Sequence, residues 1–127
     1  MNITELRERL SLLTQSNVIS HRSADLTLKA FQQMQLILGT DDIQSAEMLF
    51  THLPCAITRI ERGEDIEAPM PELLKEIPQT DYYPLVLKEI KHIESLHGYP
   101  LPDGEIGYLL IHYTNVFKQN RGGHKKI

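Results

Sequence analysis

Apolar residues recur three and four positions apart through most of this 127-residue chain, and this spacing constrains the fold more than any other feature. Residues at that spacing share one face of an α-helix, whereas the strict alternation typical of half-buried β-strands is missing. Glycine and proline fall mainly between the periodic runs, where helices end. The pattern predicts an all-α fold, a bundle of five principal helices with an extra short helix at the N-terminus.

The periodic runs also predict where each helix lies. The first helix opens at Asn2, with Glu5 three residues later as a possible capping box. The remaining helices are predicted over residues 23–38, from 43 to 63, over a short segment after residue 70, over 81–97 and over 103–119. Pro54 lies inside the third helix and predicts a kink or a break close to His52, because proline removes one backbone hydrogen bond.

Side chains and glycines at the ends of these runs predict the helix boundaries. Ser23 is the candidate N-cap of the second helix, and Gly39 is its expected stop. Pro71 suits the first position of the short helix, and Pro78 is expected to end it. Gly98 is the expected terminator of the fifth helix.

We expect three parts along the chain: a leading helix and connection over residues 1–20, one helical domain over 21–119 and a flexible basic tail over 120–127. The hydrophobic content of 41% is enough for a single domain to bury a core. The gaps between runs are too short to be domain linkers.

Charge and composition exclude several classes of function. Seventeen acidic and thirteen basic residues give a net charge of -4, which argues against direct binding of nucleic acid. No apolar stretch approaches the ~20 residues that span a bilayer, and the first ten residues carry charges where a signal peptide has an apolar core. The single cysteine, Cys55, forms no internal disulfide. These features predict a cytoplasmic protein without a membrane anchor.

Histidine is the side chain most often used for proton transfer and phosphoryl acceptance near neutral pH, and the chain has six histidines. Four are expected to be solvated at the surface: His21, His92, His97 and His124. His52 and His112 differ because each lies near the apolar stripe of a long helix, where the ring nitrogens need partners.

Each of these two histidines has a charged residue seven positions away. Arg59 follows His52, and Glu105 precedes His112, which places each pair on one helical face about 10 Å apart. Such a pair is found both at functional sites and where a partly buried histidine is simply satisfied by a neighbour. Spacing alone leaves both interpretations open.

The chain lacks the patterns of common enzymes and metal sites. No pair of histidines or cysteines has metal-ligand spacing, and Cys55 has no second cysteine near it. Neither a nucleophile elbow nor a phosphate-binding glycine loop is present. We therefore predict no catalytic residue, no metal and no cofactor, and a protein that is not an enzyme.

The stretch LPDGEIGYLLIHYTNVF, residues 101–117, resembles the closing helix of the PTS regulation domain, a helical module governed by the bacterial sugar phosphotransferase system. In that family, a proline and acidic residues precede a helix that carries glutamate, then glycine, then a histidine seven residues after the glutamate. Pro102, Glu105, Gly107 and His112 match this pattern. Gly104 departs from it, because the family usually has an acidic residue there.

An upstream stretch, THLPCAITRIERGEDIEAPMPELLKEI, is similar to the second signature of the family. That signature is a helix with histidine and, seven residues later, arginine, followed by a glycine-containing loop and a short leucine-rich helix. His52, Arg59 and Gly63 match it, together with Leu73 and Leu74. The resemblance covers roughly residues 23–119 as a single copy.

The resemblance implies a regulatory function. In the family both histidines accept a phosphoryl group, so His52 and His112 are the expected acceptors, with the histidine phosphocarrier protein or a sugar-specific transport component as donor. Arg59 is expected to contact the phosphoryl group and Glu105 to orient an imidazole.

No nucleic-acid-binding head is recognisable, so we expect a stand-alone domain that forms homodimers and regulates transcription indirectly. The alternative is a helical dimerisation or interaction module that is not phosphorylated.

Overall fold

The computed structural model describes residues 1–121, and these residues form an all-α structure without strands. They contain six α-helices: α1 (Ile3–Gln15), α2 (His21–Leu38), α3 (Glu47–Glu61), α4 (Pro71–Leu74), α5 (Tyr83–His97) and α6 (Asp103–Arg121). The predicted fold class and the order of the helices are confirmed. Most of the predicted basic tail, residues 122–127, lies outside the described residues. None of the helices described is long and apolar enough to cross a membrane.

The helices are divided between two units. The first unit, Met1–Glu64, contains α1 to α3, and α2 packs against both of its neighbours. The second unit begins at Asp65 and contains α4 to α6, with α5 and α4 each packed against α6. A 3-10 turn, Ile77–Gln79, connects α4 to α5 and contacts both α5 and α6.

The core of the first unit is formed by apolar side chains of α1, α2 and α3. Phe31 of α2 and Phe50 of α3 meet edge to face, with ring centroids 4.9 Å apart. Both are fully buried, as are Leu6, Leu49 and Leu53. Each such side chain stabilises the fold by about 1.5–3 kcal/mol through its removal from water.

Helices α1 and α2 have side-chain caps at their starts. The capping box of α1 is confirmed, because Asn2 Oδ1 accepts from the backbone N–H of Glu5 at 2.9 Å and Glu5 Oε1 accepts from that of Asn2 at 3.1 Å. For α2 the predicted cap is wrong. Ser20 is the N-cap, with extended backbone, and its Oγ accepts from the backbone N–H of Ser23 at 3.1 Å. Ser23 itself lies in the first turn and is buried.

The third helix begins later than predicted and continues through its proline. Ser45 has a φ of 56°, a left-handed conformation that interrupts a helix, so α3 starts at Glu47 rather than at residue 43. Ile43 is nevertheless buried. The helix is continuous across Pro54, which excludes the predicted break.

Glycine and proline act largely where the sequence predicts. Gly39 and Gly98 end α2 and α5 in the left-handed conformation, with φ values of 67° and 97°. Pro71 is the first residue of α4. The helix ends at Leu74, four residues before Pro78, which instead lies inside the 3-10 turn.

Candidate functional site

The first predicted pair, His52 and Arg59, lies on one face of α3. Both side chains are half-buried, and two helical turns place them about 10 Å apart. Cys55 lies between them on the same face, because it follows His52 by three residues and precedes Arg59 by four. The Nε2 atom of His52 is buried. A group added at this nitrogen therefore displaces the atoms around it.

Cys55 reports the electrostatic environment of this face. Its thiol pKa is raised from 9.0, mainly by burial, and the positive charge of Arg59 partly offsets that rise. The charge of Arg59 therefore acts at least one turn back along α3 towards His52. A raised pKa also makes Cys55 a poor nucleophile at neutral pH.

A hydrogen-bond network that the sequence did not predict holds the second half of α3 against the start of α2. Thr58 is buried; its Oγ1 donates to the Pro54 carbonyl at 2.8 Å and accepts from the backbone N–H of Ser20 at 3.1 Å. The same Oγ1 lies 2.9 Å from Ser23 Oγ. At its edge, Ser20 Oγ donates to Glu61 at 2.6 Å. Because Arg59 follows Thr58 directly, this network fixes the part of α3 that carries the arginine.

The second predicted pair, Glu105 and His112, lies on one face of α6 in the second unit. Glu105 is 2% exposed and His112 is half-buried. Little solvent screens the interactions of a side chain buried to this degree. His52 and Arg59 belong to the first unit and Glu105 and His112 to the second.

Two glycines let the chain approach the start of α6 closely. A Cβ atom on Gly107 would lie 2.7 Å from Pro69 Cδ, and one on Gly104 would lie 2.8 Å from the carbonyl oxygen of Ile66. The segment 66–69 therefore crosses the first turns of α6 so closely that no side chain fits between the segment and the helix backbone at Gly104 and Gly107. Gly104 stands where the family usually has an acidic residue, and in this chain a longer side chain there would force the segment away.

Behind His112, the contact between α5 and α6 carries buried polar groups. Tyr113 is fully buried, and its hydroxyl makes no hydrogen bond within the described residues. Its pKa is raised well above 10.0, first by burial and then by the charge of Glu89 on α5, which is 3% exposed. The neighbour of the predicted acceptor thus lies within the electrostatic influence of a buried glutamate, a feature that the sequence pattern did not reveal.

The remaining histidines are only partly at the surface. His21 is exposed as predicted, and His92 is half-buried. The prediction for His97 is wrong, because it is 6% exposed and continues the buried face of α5 that includes Ile90 and Ile93. His124 lies outside the described residues. Within residues 1–121, no group of three or more His, Cys, Asp or Glu side chains could hold a metal ion.

Comparison with known families agrees with these motifs. The family model of the PRD domain matches residues 25–116, a range that includes His52, Arg59, Glu105 and His112. Helix α1 lies ahead of the match. No curated protein and no solved structure matches the chain significantly. PRD domains are regulatory rather than catalytic, and they act under the sugar phosphotransferase system. With one copy of the domain over most of its length, the chain belongs to the PRD domain family.

Proposed function

We propose that this chain is a regulatory domain switched by phosphorylation on His52 and His112. The observation that carries the proposal is the match to the PRD domain over residues 25–116, because it contains both histidines, each on one helical face with its charged partner. The donor is a protein of the phosphotransferase system, either the histidine phosphocarrier or a sugar-specific component. The domain acts in the cytoplasm as a homodimer.

The transfer uses chemistry that an imidazole can perform near pH 7. A neutral ring nitrogen attacks the phosphorus of the donor phosphohistidine, so that a new N–P bond forms as the donor N–P bond breaks. The acceptor gains up to about two negative charges. Arg59 meets that charge on α3 through charge-assisted hydrogen bonds, which a guanidinium makes well with phosphoryl oxygens.

On α3 the added group changes packing because of where the histidine lies. Nε2 of His52 is buried, so a phosphoryl group on this nitrogen requires the surrounding side chains to move. The Thr58 network holds the following turn in place, which concentrates that movement around His52. Phosphorylation of His52 therefore loosens the first half of α3 more than the second.

On α6 the added group would lie on the same helical face as Glu105. An ionised Glu105 about 10 Å from a phosphoryl group on His112 costs about 1.7 kcal/mol per unit charge at an effective dielectric constant of 20, hence roughly 3 kcal/mol in all. That energy is enough to shift a two-state equilibrium about a hundredfold. The change in α6 packing alters protein–protein contacts, and through them transcription.

One observation favours a second candidate function. A buried Nε2 on His52 is also what a purely structural histidine has, and the chain would then be a helical interaction module that is not phosphorylated. The two candidates differ in what a phosphodonor does to the protein.

The test supplies the purified protein with labelled phosphoenolpyruvate and the general phosphotransferase proteins. We expect label on the wild type, a reduced amount in His52→Ala and in His112→Ala, and none in the double variant. His92→Ala is the matched control and keeps full labelling, because it removes a half-buried histidine outside both motifs. Size-exclusion chromatography of the phosphorylated and untreated protein then reports the change in assembly. An unlabelled wild type, with donor shown to be active, would refute the first candidate and favour the second.

A further inference from the structure

A groove between α1 and α2 has the charge opposite to that of the chain as a whole. It encloses about 370 Å³ and has Arg7 and His21 on its rim. None of the described residues that line it is acidic, although the chain has a net charge of -4. Neither Arg7 nor His21 forms an ion pair within residues 1–121. The groove thus presents the positive charge of Arg7, with the imidazole of His21 beside it, to an incoming partner.

The floor of the same groove is apolar, and the groove is open along its length. Leu10 is buried and Ala24 and Leu28 are half-buried, while Arg7 is exposed above them. The lining of α1 extends over two helical turns, about 10 Å. An open groove of this length, with an apolar floor and a charged rim, suits a short amphipathic segment of a protein.

The second unit carries a segment with the complementary properties. Residues 65–76, here called the acidic segment, contain four acidic residues and one lysine, all exposed. Within it, Met70 is 65% exposed and Leu73 is 59% exposed. These two side chains place exposed apolar surface beside the carboxylates of the segment. Their three-residue spacing, about one helical turn, is shorter than the groove.

We propose that the groove between α1 and α2 binds the acidic segment of a second copy of this chain. Met70 and Leu73 of the second copy cover the apolar floor, and the carboxylates beside them face Arg7 and His21. When each copy both offers its groove and inserts its segment, the contact is self-complementary and closes as a two-fold dimer. Helix α1 lies ahead of the family match, so the α1 side of this surface is outside the region that the family model covers.

The first test measures self-association of the unphosphorylated full chain by sedimentation velocity over a range of concentrations. Arg7→Glu reverses the charge of the rim, and we expect it to weaken dimerisation at least about tenfold, since like charges then face each other. Lys29→Glu is the matched control: it makes the same charge change on an exposed residue of α2 outside the groove, and we expect about the wild-type dimerisation constant. Circular dichroism verifies that both variants keep their helices.

The second test adds a fluorescent peptide of residues 65–76 to the full chain and follows its anisotropy. We expect the peptide to bind, to compete with dimerisation, to bind less tightly at high salt and to lose binding when Met70 and Leu73 are both serine. A peptide that does not bind, or that binds Arg7→Glu as well as wild type, would overturn the proposal. Groove-dependent binding by a chain that stays monomeric would also overturn it, and would assign the groove to an acidic segment of another protein. Because no phosphodonor is present, the result is separate from the success or failure of phosphotransfer.

Discussion

Replacing Gly107 by alanine tests the close approach of the 66–69 segment to α6. A Cβ at this position would lie 2.7 Å from Pro69 Cδ and 2.8 Å from its Cγ. Carbon atoms in good contact are about 3.5–4.0 Å apart, so a gap of about 1 Å must open. Because the proline ring is rigid, the backbone of the segment moves rather than a side-chain end.

The expected loss of stability follows from two opposing effects. Overpacking of this kind costs up to about 3 kcal/mol, and alanine gains about 1 kcal/mol over glycine inside a helix. The net loss is therefore about 2 kcal/mol, which lowers the urea midpoint by roughly 1 M. Asn115→Ala is the matched control, because it is exposed in the middle of α6 and changes helix propensity alone. We expect it to be neutral or slightly stabilising.

A double-mutant cycle isolates the contact. In a Pro69→Ala background the ring carbons Cγ and Cδ are gone, so Gly107→Ala should cost nothing and could gain up to about 1 kcal/mol. The expected coupling is about 2 kcal/mol or more. If Gly107→Ala stabilises the wild type as an open helix position would, or if the two substitutions add without coupling, the segment does not lie against α6 and the reasoning fails.

Four further predictions concern polar and titratable side chains. Thr58→Val removes the hydroxyl that Ser20 and Ser23 contact and should cost about 2–3 kcal/mol in urea unfolding; a loss below about 0.5 kcal/mol would mean that the network is not formed. Tyr113→Phe removes a buried hydroxyl without a partner in the described chain and should stabilise by up to about 1 kcal/mol; clear destabilisation would contradict this. The pKa of Tyr113 is raised in the folded chain, so the unfolded chain loses this proton first. The free energy of unfolding therefore falls as the pH rises above about 10, and it falls less in Tyr113→Phe. Cys55 should react with iodoacetamide more slowly in the native chain than in urea, and Arg59→Gln should slow it further; faster native alkylation would show that burial does not control its pKa.

The helices could be predicted from the sequence because helix formation depends on local patterns. The stripes of α2 and α3 repeat every three to four residues. Gly39 and Gly98 end their helices in the left-handed conformation, which glycine adopts without strain because it has no Cβ. The errors arose where several local solutions compete. Ser20 and Ser23 can both cap α2, and only the contact of Ser23 with Thr58 inside the unit decides between them.

The site was predictable only where it depends on residues of one helix. His52 and Arg59 share a face because of their spacing, whereas the burial of His52 Nε2 depends on tertiary packing. The same holds for Tyr113 and Glu89, which come from different helices. The burial of His97 could have been predicted from the sequence, because His97 lies one helical turn beyond Ile93 on the face that also carries Ile90. The approach of Pro69 to Gly107 required knowledge of the path of the 66–69 segment.

The central claim is that His52 and His112 accept the phosphoryl group. The most direct measurement is site-resolved mass spectrometry of the wild-type chain after transfer from the phosphorylated donor, with samples kept alkaline to preserve phosphohistidine. The proposal predicts phosphorylation at these two positions and at no other of the six histidines. A phosphoryl group found only on His21, His92, His97 or His124, or an unmodified chain beside a fully phosphorylated donor, would contradict it.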